Sequence, residues 1–511
     1  MTTCSHSIAT AEPKGVYSRM FPAASEPLLG RDEEKLFALG DSMRYASERE
    51  GTLTPRAGYT YFSQFVGHDL THDTTSLNGP YAEPEETPNY RTPVLDLDHI
   101  YGGGPAQSPQ LYEGEEGAET FKIGRTEPGG YLRDIPFRDG APLIADHRDL
   151  DNLIVRQLHA LFLKFHNAAI AFVTGGSISD SLATWLGDGR PFEQARRFVT
   201  WHYQWIVRHD LLPRMLHRET WSHGLLAQTP APRTGGLAIP IEFSLAAFRF
   251  GHSMARNAYG LNCRRRRVEL VELMREGQQQ AGLADDSLIE WGRFFDGLRA
   301  SGPVASSAYL DTAFVDALHE MSPATVRLCS HLEANGGLAR LPVRTLLRGA
   351  RSRLPSGQEA ARALVDRGSV RPPFELSAEQ LTADTCDASG SALKRAELQR
   401  NTPLFYYLLK EAEVYGLART LGPVGSHIVA EVIVDSIVSD AHSYHNVAGP
   451  EWQPIPFQFR NSTHHITSLI GVVRFAGDSD LLPGCRTRTF LNETSATARE
   501  PHNGAAVTAG A

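Results

Sequence analysis

Cysteine is scarce in this chain, with only Cys4, Cys263, Cys329, Cys386 and Cys485 among 511 residues. They are odd in number and far apart, and none forms a CxxC pair. That spacing argues against a thiolate zinc site and against a disulfide framework. Long apolar runs are also lacking. The stretch "SHIVAEVIVDSIV" is broken by Glu431 and Asp435, and a membrane-spanning helix needs about 20 apolar residues. Positive charge is not in excess: 50 Lys and Arg face 59 Asp and Glu, for a net charge of -9. Nucleic acid is therefore not the expected main partner. The basic run Arg264 to Arg267 reads as solvated surface. The opening "MTTCSHSIATAEPKG" has neither a basic start nor an apolar core, so no Sec signal is read there. The expectation is a cytoplasmic protein without a membrane span, with export by another route left open. Strand-like alternation is sparse, and no internal repeat is visible.

What the sequence does contain is helical periodicity between Gly- and Pro-rich connections, with 45 Gly and 31 Pro. A helix is expected from about Tyr59 to Leu70, where Phe62, Phe65, Val66 and Leu70 make an apolar stripe. A second runs from about Asp151 to Val173, carried by Leu158, Leu161, Phe162, Phe165, Ala169 and Phe172, with Gly175-Gly176 to stop it. A third is expected over "IEFSLAAFRFGHSMARNAYG". A fourth opens with Thr402 as cap and Pro403 in the first turn, and a fifth follows Gly425-Ser426. Residues 80–140 read as a long irregular connection. The expected fold is mainly α with long irregular loops and little β. Its parts are an N-terminal arm (1–30), a main domain (31–493) and a disordered tail (494–511).

The chemistry-bearing residues cluster in a few segments. "YFSQFVGHDLTHD" places His68 and His72 four apart, a spacing that shares one helical face in zinc motifs of the H-E-x-x-H type. Asp69 stands where such a motif needs Glu. "TPVLDLD" sets Thr92, the carbonyl of Val94, Asp96 and Asp98 at even spacing, an oxygen-rich pattern suited to a hard cation such as calcium. "HRDLD" carries Arg148 just ahead of the second helix. "FRFGH" carries His252 between apolar neighbours, where a packed core histidine is the ordinary reading.

Order and spacing of these segments change that reading. The chain resembles the animal-type haem peroxidases of the peroxidase–cyclooxygenase superfamily, in its bacterial branch. "SQFVGHDLTHD" is similar to the family's distal Q-x-x-D-H-D, and "TPVLDLDHIYG" to its calcium loop. "HRDLD…LHALFLKFHN" is similar to the distal arginine segment, "FRFGH" to R-Y-G-H, and "LLRGARSRLPSGQ" to Q-R-G-R-D-H-G-L-P. The resemblance spans residues from about Thr54 to Ile437 and implies a helical fold around a central haem. It implies that His68 is the distal base, with Gln64 lining the pocket and Arg148 as the distal arginine. It implies haem b bound through His252, with Arg249 and Arg348 facing the propionates. It implies calcium held by Asp69, Thr92, Val94, Asp96 and Asp98. The implied partners are hydrogen peroxide and a small-molecule reductant.

The sequence also departs from that family. Gly67 stands where one haem ester would form, so that link cannot be made. Asp151 matches the second ester position, where the family more often has Glu, leaving room for one link. Asn152 replaces a methionine, which removes a sulfonium bond. Thr345 matches the Asn that usually holds the proximal histidine. These departures weigh against strong halide oxidation and towards phenol-like reductants. Three other readings compete. A fatty-acid dioxygenase would need a tyrosine shortly before the axial histidine, and "FSLAAFRFG" has none. A zinc hydrolase on "HDLTH" lacks the Glu base and a third ligand. A haem-free relative would keep calcium without turnover.

Overall fold

A computed structural model describes residues 12–26, 33–45, 51, 53–75, 83–175, 179–223, 237–321, 339–369, 375–479, 481–482 and 485. The expected tail (494–511) and part of the expected arm lie outside them. The fold is mainly helical. The arm enters as strand β1 (Gly15–Ser18), followed by helix α1 (Glu33–Ser42) and α2 (Ala57–Leu70). β1 pairs antiparallel with β2 (Pro88–Asn89) and parallel with β3 (Ile239–Pro240). Glu242, just past β3, accepts the backbone N–H of Met20 at 2.9 Å and of Phe21 at 3.2 Å.

Helix α2 is apolar almost all round and buried along nearly its whole length. Such a helix belongs in a core rather than on a surface. It rests on α3 (Leu153–Thr174), which packs along α4 (Pro191–Ile206). Asn152 starts α3 by accepting the N–H groups of Ile154 and Val155, which satisfies donors a helix start leaves unpaired. Farther along come α5 (Leu341–Arg351), α6 (Leu404–Val414) and α7 (Pro423–Val438). The last two begin slightly off the sequence expectation. Pro403 is the N-cap of α6 rather than its first turn, and α7 starts two residues before Gly425.

Three expectations are corrected. The single helix expected over residues 241–260 is a short α-helix, Ile241–Leu245, and a 3-10 helix, Ala247–His252, broken at Ala246 with φ -134° and ψ -73°. Its apolar spacing reflects burial on several sides, because this segment packs against α2, α6 and α7. The irregular connection expected over residues 80–140 carries local order in its described part, 83–140. These residues hold short helical turns and pairs of two- to three-residue strands. Finally, Cys263 and Cys485 form a disulfide across 222 residues, with Cα atoms 5.5 Å apart. Remote cysteines need only meet in space, so linear spacing gave no sign of the bond. Among the described residues no helix is long and apolar enough to cross a membrane.

Candidate functional site

His68 sits in the last turn of α2, and Thr71 beyond it is extended. His72 therefore lies past the helix end and does not share a face with His68. The zinc-helix geometry is absent. His72 instead donates its backbone N–H to Asn89 at 2.8 Å. His68 Nδ1 lies 2.8 Å from Asp149 Oδ1, while His68 Nε2 points away, 4.0 Å from Asp151 Oδ2. Asp149 belongs to a 3-10 turn, His147–Leu150, leading into α3. Burial works against its charge, but the field of His99 and hydrogen bonds with His159 and His68 outweigh it. They hold the carboxyl well below the usual range.

Gln64, one turn before His68, accepts from Asn152 Nδ2 at 3.1 Å. Arg148 is more committed than the sequence indicated. Its Nε and Nη2 grip Asp146, Nη2 reaches the carbonyl of His68 at 2.8 Å, and Nη1 reaches the carbonyl of Thr71. Those two carbonyls belong to the end of α2, so the guanidinium also closes that helix.

On the other side, His252 ends the 3-10 helix Ala247–His252. Its Nδ1 is buried without a hydrogen-bond partner. Thr345, the residue aligned with its usual holder, donates its hydroxyl to Leu341 O at 2.9 Å instead. Burial, then the charges of Arg249 and His68, push the imidazole down to about 3. It therefore stays neutral at pH 7, which a metal-binding imidazole must be.

Arg249 donates Nε to Ser244 O at 3.0 Å. Burial, then Arg348 and Arg344, lower its guanidinium to about 9. Burial and Arg348 likewise lower Arg344 to about 10. Arg348 pairs with Asp73 at 3.2 Å. Arg249, Arg344 and Arg348 crowd their positive charges together, with Asp73 against Arg348, and such a cluster suits anionic groups. A neutral, half-buried histidine beside an arginine cluster fits a haem with two propionates. Sequence reasoning missed Arg344. It lies one turn before Arg348 on α5, outside the motif, and only helical spacing could have indicated it.

The cation loop is also assembled. Leu97 adopts a left-handed conformation, φ 59°, and precedes a short helix starting at Asp98. That turn lets Asp96 Oδ1 accept from Thr92 Oγ1 at 2.8 Å and from Asp98 N at 3.1 Å. Val94 O accepts from Asp96 N at 3.1 Å. Asp69 Oδ2 and Asp98 Oδ1 are buried without hydrogen-bond partners. Burial, then Asp98 and Asp69, push Asp96 up to about 7. Carboxylates that repel one another, with Asp69 Oδ2 lacking a hydrogen bond and Asp98 Oδ1 offset only by Arg91 Nε at 3.5 Å, fit a hard cation. Lys14 bonds Asp98 Oδ2 at 2.5 Å and so supplies part of the balancing charge.

A family profile described as animal haem peroxidase matches residues 55–319, which hold the distal helix, the cation loop and His252. The chain belongs to the animal haem peroxidase family. Relatives of the chain include human thyroid peroxidase, 28% identical over 191 residues, which is 34% of this chain and 20% of that protein. A peroxidase-like protein of Margaritifera margaritifera is 26% identical over 188 residues, 34% of this chain and 23% of that protein. The matched stretches thus span about a fifth of these relatives' length. Among solved structures, peroxidase A of Dictyostelium discoideum gives a TM-score of 0.56 at 16% identity, covering 86% of this chain and 88% of its own. Fatty acid alpha-dioxygenase of Oryza sativa gives 0.58 at 13% identity, covering 92% of this chain and 80% of its own. Both likenesses concern the fold alone. The family is one of oxidoreductases.

Proposed function

We propose that this animal haem peroxidase uses hydrogen peroxide to oxidise small, phenol-like organic molecules. The observation that carries the reading is the pair His68 and His252, one held by a carboxylate and the other neutral, half-buried with its Nδ1 enclosed, and beside an arginine cluster. His252 would ligate haem b, and Arg249, Arg344 and Arg348 would hold its propionates. When bound, haem iron supplies the centre at which peroxide is reduced. His68 Nε2 would accept a proton from one oxygen of hydrogen peroxide and return it to the other, which would depart as water with the two electrons that the haem supplies. Arg148 fixes the end of α2 and adds positive charge beside the developing anion. Gln64, held by Asn152, borders the same side. Asp69, Thr92, Val94, Asp96 and Asp98 would hold calcium next to His68 in sequence.

Gly67 leaves one ester position without a side chain, although the only neighbour near a built Cβ would be Phe248 at 3.5 Å. Asp151 keeps the other, so at most one covalent link is proposed. Fewer links leave the porphyrin less distorted and less oxidising. Phenols are then better reductants than chloride. The absence of tyrosine in the nine residues before His252 supports peroxidase over dioxygenase chemistry.

The test is a purified, haem-loaded protein. Wild type is expected to show a Soret band that His252→Ala loses, and to oxidise guaiacol only with peroxide. An unchanged band in His252→Ala would overturn the ligand assignment. Oxygen uptake with a fatty acid in the absence of peroxide would overturn the reaction.

A further inference from the structure

The distal histidine does not stand alone. His68, Asp149, His99 and Asp69 form a closed ring of contacts. Asp149 Oδ1 meets His68 Nδ1 at 2.8 Å, and Asp149 Oδ2 lies 3.9 Å from His99 Nε2. The other nitrogen of His99 meets Asp69 Oδ1 at 3.1 Å, and Asp69 is the chain neighbour of His68. His159, from α3, adds a 2.7 Å bond to Asp149 Oδ2. All five side chains are buried. The backbone under Asp149 is pinned too: Asp146 accepts the N–H of Arg148 at 2.9 Å and that of Asp149 at 3.2 Å.

We propose that Asp149 is the positioning residue of His68, fixing both the ring's orientation and which of its nitrogens carries the proton. The chemistry of this proposal rests on the peroxidase reading; its geometry does not. A carboxylate can only accept, so the proton between the two groups belongs to His68 Nδ1. Nε2 is then left with its lone pair directed away from Asp149. This is the tautomer a proton acceptor needs, and it is set by the bond at the other nitrogen. His159 holds the other oxygen of Asp149 at 2.7 Å, which keeps the carboxylate turned towards His68. Without Asp149, an Nε2–H imidazole would present a donor where an acceptor is required. A purely structural Asp149, there only to offset buried histidines, would alter stability and leave the tautomer and the peroxide step alone.

The experiment begins with haem-free, full-length protein carrying 15N-labelled histidine. The His68 signals are assigned by their loss in His68→Gln. Wild type is expected to show the Nδ1–H form, and Asp149→Asn a shift of population towards Nε2–H. Wild type in the Nε2–H form overturns the proposal, and so does an unaltered tautomer in Asp149→Asn. Should that variant fail to fold, the wild-type spectrum decides by itself. In the haem-loaded protein, Asp149→Asn is expected to slow the reaction with peroxide by about 10- to 100-fold with haem content unchanged. Asp149→Glu, which restores a carboxylate, recovers part of the rate. A wild-type rate in Asp149→Asn overturns the proposal. Absence of any haem binding or peroxide consumption removes the peroxidase reading instead and leaves the tautomer result standing.

Discussion

Arg148 shows how a residue's surroundings refine a role read from its position. The motif places it as a distal arginine, and its neighbours make it a brace as well, tying Asp146 to the carbonyls of His68 and Thr71. His68 and Arg148 should therefore separate experimentally. His68→Ala is expected to slow the reaction with peroxide by at least about 100-fold, with haem content retained. Arg148→Ala should slow the same reaction and also destabilise the fold by about 2–3 kcal/mol, because charged hydrogen bonds are lost. Stopped-flow mixing with peroxide and thermal melts of both variants check this. An Arg148→Ala melt identical to wild type would remove the bracing role. At this scale the sequence singled out His68, Arg148 and His252 as candidates but not their partners. Asp149 lay inside the quoted "HRDLD" with nothing to single it out. Its role depends on α2, α3 and residue 99 meeting in space, and no local spacing encodes that.

Among the elements, α2 and α3 were legible because their apolar residues repeat every three to four positions over many residues. The proximal segment was not. Its apolar spacing looked helical, yet the chain breaks at Ala246 to bring His252 to the end of a tighter turn. The cation loop was legible as a pattern of oxygens, while the left-handed turn at Leu97 that gathers them was not. Asp96→Ala should lose most bound calcium, measured by metal analysis after dialysis, because carboxylates dominate hard-cation binding. Undiminished calcium would exclude the loop. The packed pair α3 and α4 carries its own pH dependence. Burial pushes His202 down to about 4, against the opposing bond to Phe198 O, and His166 down to about 3. Both folded values lie below the ordinary 6.5. Their stabilisation is thus complete above pH 6.5 and is lost as pH falls towards 4 and below. Each costs about 1.4 kcal/mol per pH unit across that window. Urea unfolding at pH 7 and pH 5 should show this fall, and His202→Asn should make it shallower. An identical slope in the variant would show that His202 is not one of the groups responsible.

For the molecule as a whole, the Cys263–Cys485 bond ties a loop next to the proximal segment to a residue near the C-terminal end of the described chain. A cross-link over so long a loop is worth on the order of 3–5 kcal/mol, mainly by restricting the unfolded chain. Reductant should therefore lower the unfolding midpoint, as should Cys485→Ser. Thiol counting under denaturing conditions should find at most three free cysteines, the total of five less the bonded pair. Five free thiols would show that the bond does not form. Such bonds persist in oxidising compartments, which sets this feature against the cytoplasmic expectation drawn from the N-terminal residues. The overall helical class was readable from composition and periodicity. The closure of the molecule by a remote cystine was not.

Lys14, Tyr17, Met20 and Phe21 belong to one short stretch, yet their partners are spread from Asn89 and Asp98 to Glu242. During synthesis this stretch leaves the ribosome well before the residues that receive it. It cannot finish its strand pairing until residues 239–240 exist, and the most sequence-distant contacts form late in folding. The earliest-made part of the described chain must therefore wait for some of the later-made residues before it can close beside the cation loop and the arginine cluster. A prosthetic group would have its window for entry before that latch shuts.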